Sequence, residues 1–160
     1  MPISKKVLNY LAALKIKAKP MVHKTVYTAY DAAATMKAKL NEIPKVLHVL
    51  ADKKRHIIVI VPASYQVDFA KLKAALKAKK VELASEKVME KAFKVKAGAM
   101  TAFGGLYKDS EVLVDRAFSR AKRVIAGAGT YTDSLEMKTK DFLKATGGKL
   151  GVYGKARKKS

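Results

Sequence analysis

Residues 45–61 read KVLHVLADKKRHIIVIV and contain two runs of the kind that form β-strands. The first run covers residues 45–51 and the second covers residues 56–61, and both are rich in valine, isoleucine or leucine. The polar residues between them, 52–55, have the length of a hairpin loop. Residues 57–61 are apolar at every position, so this strand would present apolar side chains on both faces. The stretch therefore predicts a hairpin whose second strand is buried inside the protein.

Helix signals lie on both sides of the hairpin. Ser4 can cap an N-terminal helix, which Pro20 does not allow to continue. Thr28 and Asp31 have the spacing of a capping box that opens a second helix, and Asp68 can start a third. The other expected elements are strands at 23–28, 81–84, 111–114, 123–126 and 134–137, helices at 85–92 and 139–146, and a glycine-rich loop at 98–105. Helices and strands mixed in this order predict a single α+β domain.

The end of the chain differs in composition from the rest. From Lys149 to Ser160 it carries five basic residues and no acidic one. A run of this kind is typical of a mobile arm. We therefore expect a folded domain over residues 1–150, followed by a basic tail over residues 151–160.

The net charge is the first indication of function. The chain of 160 residues has 34 lysines and arginines against 13 acidic residues, which gives a formal charge of +21. Such a surface attracts polyanions by counterion release, so nucleic acid is the expected partner. Only five of the basic residues are arginine, and lysine acts as a point charge on phosphate, which favours recognition of backbone or shape over base sequence. A compositional bias of the habitat would give the same excess of lysine.

The inventory of residues excludes several classes of protein. The chain has no cysteine, which excludes disulfides, thiolate metal sites and a thiol nucleophile. Its longest apolar run is far shorter than a membrane span, and its N-terminal segment has the pattern of an amphipathic helix, so we expect a cytoplasmic protein. The histidines lack metal-ligand spacing, and we expect structural roles for His48 and His56. Residues 127–132, GAGTYT, match a dinucleotide fingerprint only in part and favour a turn between strands.

Four segments are informative as an ordered set. They are Lys45 at the start of the first hairpin strand, Val-Pro-Ala at 61–63 with Asp68 and Leu72 beyond it, Leu-Ala-Ser-Glu at 83–86, and a loop with Gly98 and Ala99 that closes in Phe103 and Gly104. In this order the segments resemble the YbaK family of aminoacyl-tRNA editing domains, which is related to the insertion domain of bacterial prolyl-tRNA synthetases. The resemblance covers roughly residues 21–150.

The resemblance implies both a fold and an activity. The fold would be a single compact α+β domain with a mixed, mostly antiparallel, barrel-like β core flanked by helices. The activity would be that of a freestanding, trans-acting deacylase, which hydrolyses the ester between a wrong amino acid and the 3′ end of a tRNA. Such a reaction needs an oriented water and a stabilised oxyanion, and we expect no cofactor and no metal. The implied partners are aminoacylated tRNA and, as a further candidate, an aminoacyl-tRNA synthetase, with no membrane involved.

The resemblance also assigns residues to the site. Lys45 would hold the terminal adenosine and its phosphate, while backbone N–H groups of the loop at 98–102 would polarise the ester carbonyl. A substrate hydroxyl would help to activate the water. The catalytic candidates are therefore Lys45, Gly98, Ala99, Met100, Thr101 and Ala102, and the candidates for lining the pocket are Thr28, Tyr30, Asp133 and Ser134.

Two positions depart from the family pattern. Ala102 stands where many members have proline, which would restrain the loop more strongly. Asp133 stands before Ser134 where members commonly have histidine or another neutral polar residue. A carboxylate there could pair with Lys45, could bind the amino group of the substrate, or could mark a member whose activity is lost or changed.

Two other functions fit the same sequence. The chain could be a noncatalytic RNA-binding or ribosome-associated protein that keeps the fold and uses its lysines, or a domain that docks onto a synthetase and presents tRNA. A concave pocket in which Lys45 faces the loop at 98–102 would favour the enzyme, and a filled pocket would favour the binding protein.

Overall fold

The computed structural model describes residues 3–95 and 100–157. Within them the helices are α1 (Lys5–Ala13), α2 (Ala29–Met36), α3 (Phe69–Leu76), α4 (Glu86–Phe93) and α5 (Thr139–Thr146). The strands are β1 (Lys19–Val22), β2 (Pro44–Ala51), β3 (Arg55–Pro62), β4 (Tyr65–Val67), β5 (Val81–Leu83), β6 (Glu111–Asp115), β7 (Arg123–Gly127), β8 (Asp133–Lys138), β9 (Lys149–Gly151) and β10 (Gly154–Ala156). Short 3₁₀ turns occupy Leu40–Glu42, Gly104–Leu106 and Arg116–Arg120. The predicted α+β class is confirmed.

The hairpin formed by β2 and β3 is the centre of the main sheet. The two strands are antiparallel over their whole length, with Lys45 opposite Val61 and Ala51 opposite Arg55. The sheet has the order β5-β2-β3-β6-β9, in which β6 is parallel to β3 and β9 is parallel to β6. A second sheet, β1-β8-β7, is antiparallel, and β4 pairs with β10 in a third. Across the described residues these sheets stay separate and do not close into a barrel, so only the barrel-like part of the predicted core is corrected.

Strand β3 is buried on both faces, as its apolar sequence predicts. Ile58 and Ile60 belong to one hydrophobic cluster, which includes side chains of α1 and α5. Ile57, Val59 and Val61 belong to a second cluster, which includes side chains of α3. Successive side chains of a strand point to opposite faces, and the helices therefore cover the sheet from both sides.

Side chains cap the helices where the sequence predicts them. The Ser4 hydroxyl accepts a hydrogen bond from the Val7 amide at the start of α1. The Thr28 hydroxyl accepts from the Asp31 amide at the start of α2, and the Asp68 carboxylate accepts from two amides of α3. Each cap satisfies amides that have no partner inside the helix.

The strand expected at 23–28 is wrong, and β1 lies just before it. The His23 amide donates to the Thr132 carbonyl and the Val26 amide donates to the Tyr131 carbonyl. Residues 23–28 therefore run along the turn between β7 and β8 as an irregular segment that leads into α2. The turn itself, over the GAGTYT segment, joins two antiparallel strands as expected.

The prediction of a mobile arm is wrong for residues 149–157. Their strands β9 and β10 pair with β6 and β4, respectively. The Asp115 carboxylate, 2% exposed, accepts hydrogen bonds from the amides of Tyr153 and Gly154, each at 2.9 Å, and from the Ala117 amide at 2.8 Å. This buried anion binds the end of the chain to the main sheet. The sequence contains no local signal for it, because the partners are almost forty positions away.

We expect Asp115→Ala to lower the free energy of unfolding by about 3 kcal/mol, because three buried amides lose their acceptor. Urea unfolding monitored by circular dichroism measures the change. Glu90→Ala, which removes the same charge from an exposed position on α4, should change the stability by less than about 0.5 kcal/mol. Equal urea midpoints for the two variants would contradict the role of Asp115.

Helix α4 packs Phe93 against two histidines of the hairpin. The Phe93 ring centroid lies 4.8 Å from that of His48 and 5.9 Å from that of His56. The His48 Nε2 and His56 Nδ1 atoms share a hydrogen bond of 2.9 Å. Burial, and secondarily the nearby His56, lower the pKa of His48 to about 4. His48 is therefore a neutral, buried side chain at physiological pH.

This burial predicts a loss of stability in acid. In the unfolded chain His48 has the ordinary histidine pKa of about 6.5, whereas in the folded protein its pKa is about 4. Between these two pH values the unfolded chain binds more protons than the folded protein. The free energy of unfolding therefore falls as the pH drops through this range. We expect His48→Leu to reduce the loss of unfolding free energy between pH 7 and pH 4.5 by about 2 kcal/mol. Urea titrations of both proteins at the two pH values measure it. The same loss in the variant as in the wild type would show that His48 is not the group responsible.

Candidate active site

A cleft of about 460 Å³ opens beside the first residues of β2. Its walls come from the segment leading into α2, the start of β2, the residues just before Phe103, the end of β7 and the start of β8. Of the residues predicted for the site, those that line this cleft are Thr28, Tyr30, Lys45, Met100, Thr101, Ala102 and Ser134. Gly98 and Ala99 lie outside the described residues. The structure thus brings together seven candidates from four separate segments of the chain.

Lys45 is the second residue of β2, and its side chain is half-buried in the cleft. Burial lowers the pKa of its ammonium, and the positive charge of Arg157 lowers it further. None of the ion pairs found between the described residues includes Lys45. A half-buried cation beside a second cation is well suited to bind an anion that enters from outside.

Arg157 belongs to the basic tail, but the sequence does not place it at the site. Its amide donates to the Ser64 carbonyl at 3.0 Å, which continues the pairing of β10 with β4. Its guanidinium carbon lies 5.3 Å from the centroid of the Tyr30 ring, at a cation–π distance. The segment predicted as a mobile arm therefore places a charged side chain at the entrance of the cleft. Only long-range strand pairing brings it there, so no local pattern could have identified it.

Thr101 is hydrogen-bonded to the buried side chain of Tyr107. The Thr101 amide donates to the Tyr107 phenol oxygen at 2.7 Å, and the two hydroxyls share a hydrogen bond of 3.0 Å. The Phe103 amide donates to the Thr101 hydroxyl. Burial raises the pKa of Tyr107, so the phenol stays protonated. These bonds fix the end of the loop, and the Thr101 amide is already used and is not a donor for a substrate carbonyl.

The Phe103-Gly104 pair of the sequence motif has a packing reason. Phe103 is completely buried in the main hydrophobic cluster. A Cβ atom on Gly104 would collide with the Thr146 carbonyl at the end of α5 and with the Val112 side chain. Glycine at position 104 therefore lets the loop and α5 approach each other closely.

Asp133 and Ser134 are adjacent on β8 but have different surroundings. The Asp133 carboxylate accepts hydrogen bonds from the hydroxyls of Thr130 and Thr132 at 2.8 and 2.9 Å, and these bonds keep its pKa below the usual value. Asp133 does not line the cleft, and the ion pairs among the described residues do not join it to Lys45. Ser134 does line the cleft, and its hydroxyl lies 2.9 Å from the Nε2 atom of His23. His23 is a second residue that the sequence analysis did not select.

Exposed tyrosines surround the entrance of the cleft. The rings of Tyr27 and Tyr131 pack with centroids 4.9 Å apart, although their residues are 73% and 42% exposed. Tyr30, which is 43% exposed, lies on the same lining. Exposed aromatic faces of this kind stack on nucleobases. In the sequence each tyrosine is an isolated aromatic residue, and only the fold brings the three side chains together at the cleft.

Other kinds of site find no support in the described parts of the chain. Residues 3–95 and 100–157 hold no cluster of three or more histidine, aspartate or glutamate side chains that could bind a metal ion. Among the same residues, no helix is both long enough and apolar enough to cross a membrane.

Comparison with known proteins gives a family and a fold. The family model of the aminoacyl-tRNA editing domain matches residues 23–145. The crystal structure of hypothetical protein APE2540 superposes with a TM-score of 0.84 at 22% identity, over 94% of this chain and 100% of that one. A "putative trans-editing enzyme for prolyl tRNA synthetase" superposes with a TM-score of 0.77 at 18% identity, over 97% of this chain and 100% of that one.

At these identities the two crystal structures establish a shared fold. No curated protein sequence matches the chain. The family match extends over the cleft residues from Thr28 to Ser134 and covers most of the sequence. The chain therefore belongs to the aminoacyl-tRNA editing domain family, the YbaK family.

Proposed function

We propose that this protein is a trans-acting aminoacyl-tRNA deacylase, which hydrolyses the ester of mischarged tRNA in the cytoplasm. The observation that carries the proposal is the position of Lys45 in an open cleft with no acidic partner among the ion pairs of the described residues. The family match supports the same conclusion.

The dimensions of the cleft suit the end of an aminoacylated tRNA. Its volume of about 460 Å³ lies within the range of sites that bind small organic groups. An amino acid esterified to one ribose is such a group, and the rest of the tRNA stays outside. An open cleft also favours a catalyst over a binding protein that has lost its site.

The charges around the cleft suit the phosphate groups of the same substrate. Lys45 binds the terminal phosphate inside the cleft, and Arg157 provides a second cation at the entrance. The exposed rings of Tyr27, Tyr30 and Tyr131 offer stacking surfaces for the unpaired bases of the acceptor end. Stacking and phosphate contacts together orient the ester without reading a base sequence.

Removal of the cleft cation should reduce hydrolysis. We expect Lys45→Ala to lower the single-turnover rate on a mischarged tRNA by about a hundredfold, because the substrate loses its charged partner in the site. The substrate is first identified by screening a panel of mischarged tRNAs with the wild type. Lys91→Ala removes an exposed lysine of α4 and should leave the rate at saturating tRNA unchanged.

This experiment also separates the enzyme from the two other functions. Binding of tRNA without hydrolysis of any mischarged species would favour the noncatalytic RNA-binding protein. Hydrolysis or tRNA binding that requires an added synthetase would favour the docking domain. A wild-type rate in Lys45→Ala would exclude the role given to this residue.

The salt dependence of binding should report the phosphate contacts. If about four phosphate contacts form, the affinity for tRNA falls about a hundredfold between 50 and 200 mM salt. Each contact contributes about −0.9 to the slope of log affinity against log salt concentration. We expect Arg157→Ala to reduce the slope by about 0.9. Arg55→Ala is the matched control, since the Arg55 guanidinium is already paired with Glu111 and should make no phosphate contact. Fluorescence anisotropy measures the constants, and a slope near zero in the wild type would refute electrostatic binding.

A further inference from the structure

Tyr65 binds two arginines that come from distant segments of the chain. It is the half-buried first residue of β4. Its phenol oxygen accepts a hydrogen bond from Nη1 of Arg120 at 3.2 Å. Its main-chain carbonyl accepts a hydrogen bond from Nε of Arg157 at 3.4 Å, just beyond the pairing of β4 with β10. One tyrosine therefore brings two guanidinium groups close to each other.

The backbone segments that carry the two arginines share one anchor. Arg120 ends the 3₁₀ turn that follows β6, and the Asp115 carboxylate accepts a hydrogen bond from the Ala117 amide of this turn. The same carboxylate accepts from the amides of Tyr153 and Gly154, which precede the second arginine by a few positions. The relative position of the two arginines thus depends on buried hydrogen bonds as well as on Tyr65.

Neither guanidinium has an acidic partner in the described parts of the chain. Arg120 and Arg157 are both exposed, and none of the ion pairs found there includes either of them. The hydrogen bonds between the described residues use one N–H of each guanidinium, and both of them go to Tyr65. An arginine binds phosphate through two parallel N–H groups, so each side chain keeps the donors that such a contact needs.

Arg157 connects this pair with the cleft. Its positive charge lowers the pKa of the Lys45 ammonium, and its guanidinium carbon lies 5.3 Å from the centroid of the Tyr30 ring. Lys45, Arg157 and Arg120 therefore form a series of cations, the cation row, which begins in the cleft and continues to the phenol end of Tyr65. Cations beside exposed aromatic rings are typical of sites that bind single-stranded nucleic acid.

We infer that the cation row binds successive phosphates of the unpaired RNA strand and that this strand leaves the cleft over Arg157 and Arg120. The inference rests on the proposed function for the identity of the strand, which is the 3′ end of a tRNA. Lys45 binds the phosphate of the terminal nucleotide, Arg157 binds the phosphate before it, and Arg120 binds the next one. Tyr65 is a positioning residue, which acts through Arg120.

Two RNA probes of different length test the row. One is a hexanucleotide that ends in CCA, the 3′ end of tRNAs, and the other is the dinucleotide CpA, which contains only the phosphate assigned to Lys45. We expect Arg120→Ala and Arg157→Ala each to weaken binding of the hexanucleotide about fivefold at 100 mM salt, because one phosphate contact is lost. The slope of log affinity against log salt concentration should fall by about 0.7 in each variant. Affinity for the dinucleotide should not change.

Fluorescence anisotropy measures binding of the hexanucleotide, and an NMR titration measures binding of the dinucleotide. Arg55→Ala is the matched control, because it removes the same charge from a guanidinium that is paired with Glu111 at the other end of the hairpin. This variant should bind both probes like the wild type. Wild-type affinity for the hexanucleotide in Arg120→Ala and Arg157→Ala would overturn the inference. Equal losses for the two probes would overturn it as well, because the arginines would then not act on the added phosphates.

The phenol of Tyr65 is tested separately from its ring. Tyr65→Phe keeps the ring and removes the acceptor of the Arg120 bond, so we expect binding of the hexanucleotide to weaken about twofold as Arg120 loses its fixed position. The double variant Tyr65→Phe, Arg120→Ala should bind no more weakly than Arg120→Ala alone. Additive losses in folded proteins would show that Tyr65 does not act through Arg120.

Hydrolysis of mischarged tRNA distinguishes this inference from the proposed function. A protein that deacylates mischarged tRNA but binds the hexanucleotide equally well with and without the two arginines is a deacylase without the cation row. Arginine-dependent binding of the hexanucleotide by a protein that hydrolyses none of the mischarged tRNAs supports the row and rejects the deacylase. A wild type that binds neither the hexanucleotide nor tRNA refutes both.

Discussion

Strand β3 must be covered on both faces, because it is apolar at every position from Ile57 to Val61 and all of these residues are completely buried. One face is covered by the cluster that includes α1 and α5, and the other by the cluster that includes α3. The hairpin partner β2 therefore lies inside the sheet, and only its first residues reach an open cleft. Lys45 is one of these residues, so the position of the cation follows from burial of the neighbouring strand.

The end of the chain depends on the same sheet. Strand β9 extends it beyond β6, and the Asp115 carboxylate at the end of β6 binds the amides of Tyr153 and Gly154. Beyond these two residues the chain continues into β10, which pairs with β4, and then reaches Arg157, which lies beside Tyr30. A buried carboxylate thus connects the packing of the core to the charge at the entrance of the cleft.

Sequence patterns predicted the elements whose cause is local. The hairpin and the caps at Ser4, Thr28 and Asp68 depend on neighbouring residues, and the structure contains all of them. The alternating pattern at 23–28 was misleading, because these residues satisfy their amides on the turn between β7 and β8. The contact of Arg157 with Tyr30 and the bond from Ser134 to His23 join residues more than a hundred positions apart. Such pairs depend on the order of the strands, which periodicity does not encode.

The pairing of several acidic groups elsewhere helps to explain why the ion pairs of the described residues leave out Lys45 and Arg157. Glu111 is paired with Arg55, and both Glu42 and Glu136 are paired with Arg123. Asp133 precedes Ser134 of the cleft lining, and its carboxylate accepts hydrogen bonds from two threonine hydroxyls. These anions stabilise the scaffold and are not directed toward Lys45. The ion pairs among the described residues therefore include neither Lys45 nor Arg157, and a phosphate of the proposed substrate can take the place that a carboxylate would fill in an ordinary ion pair.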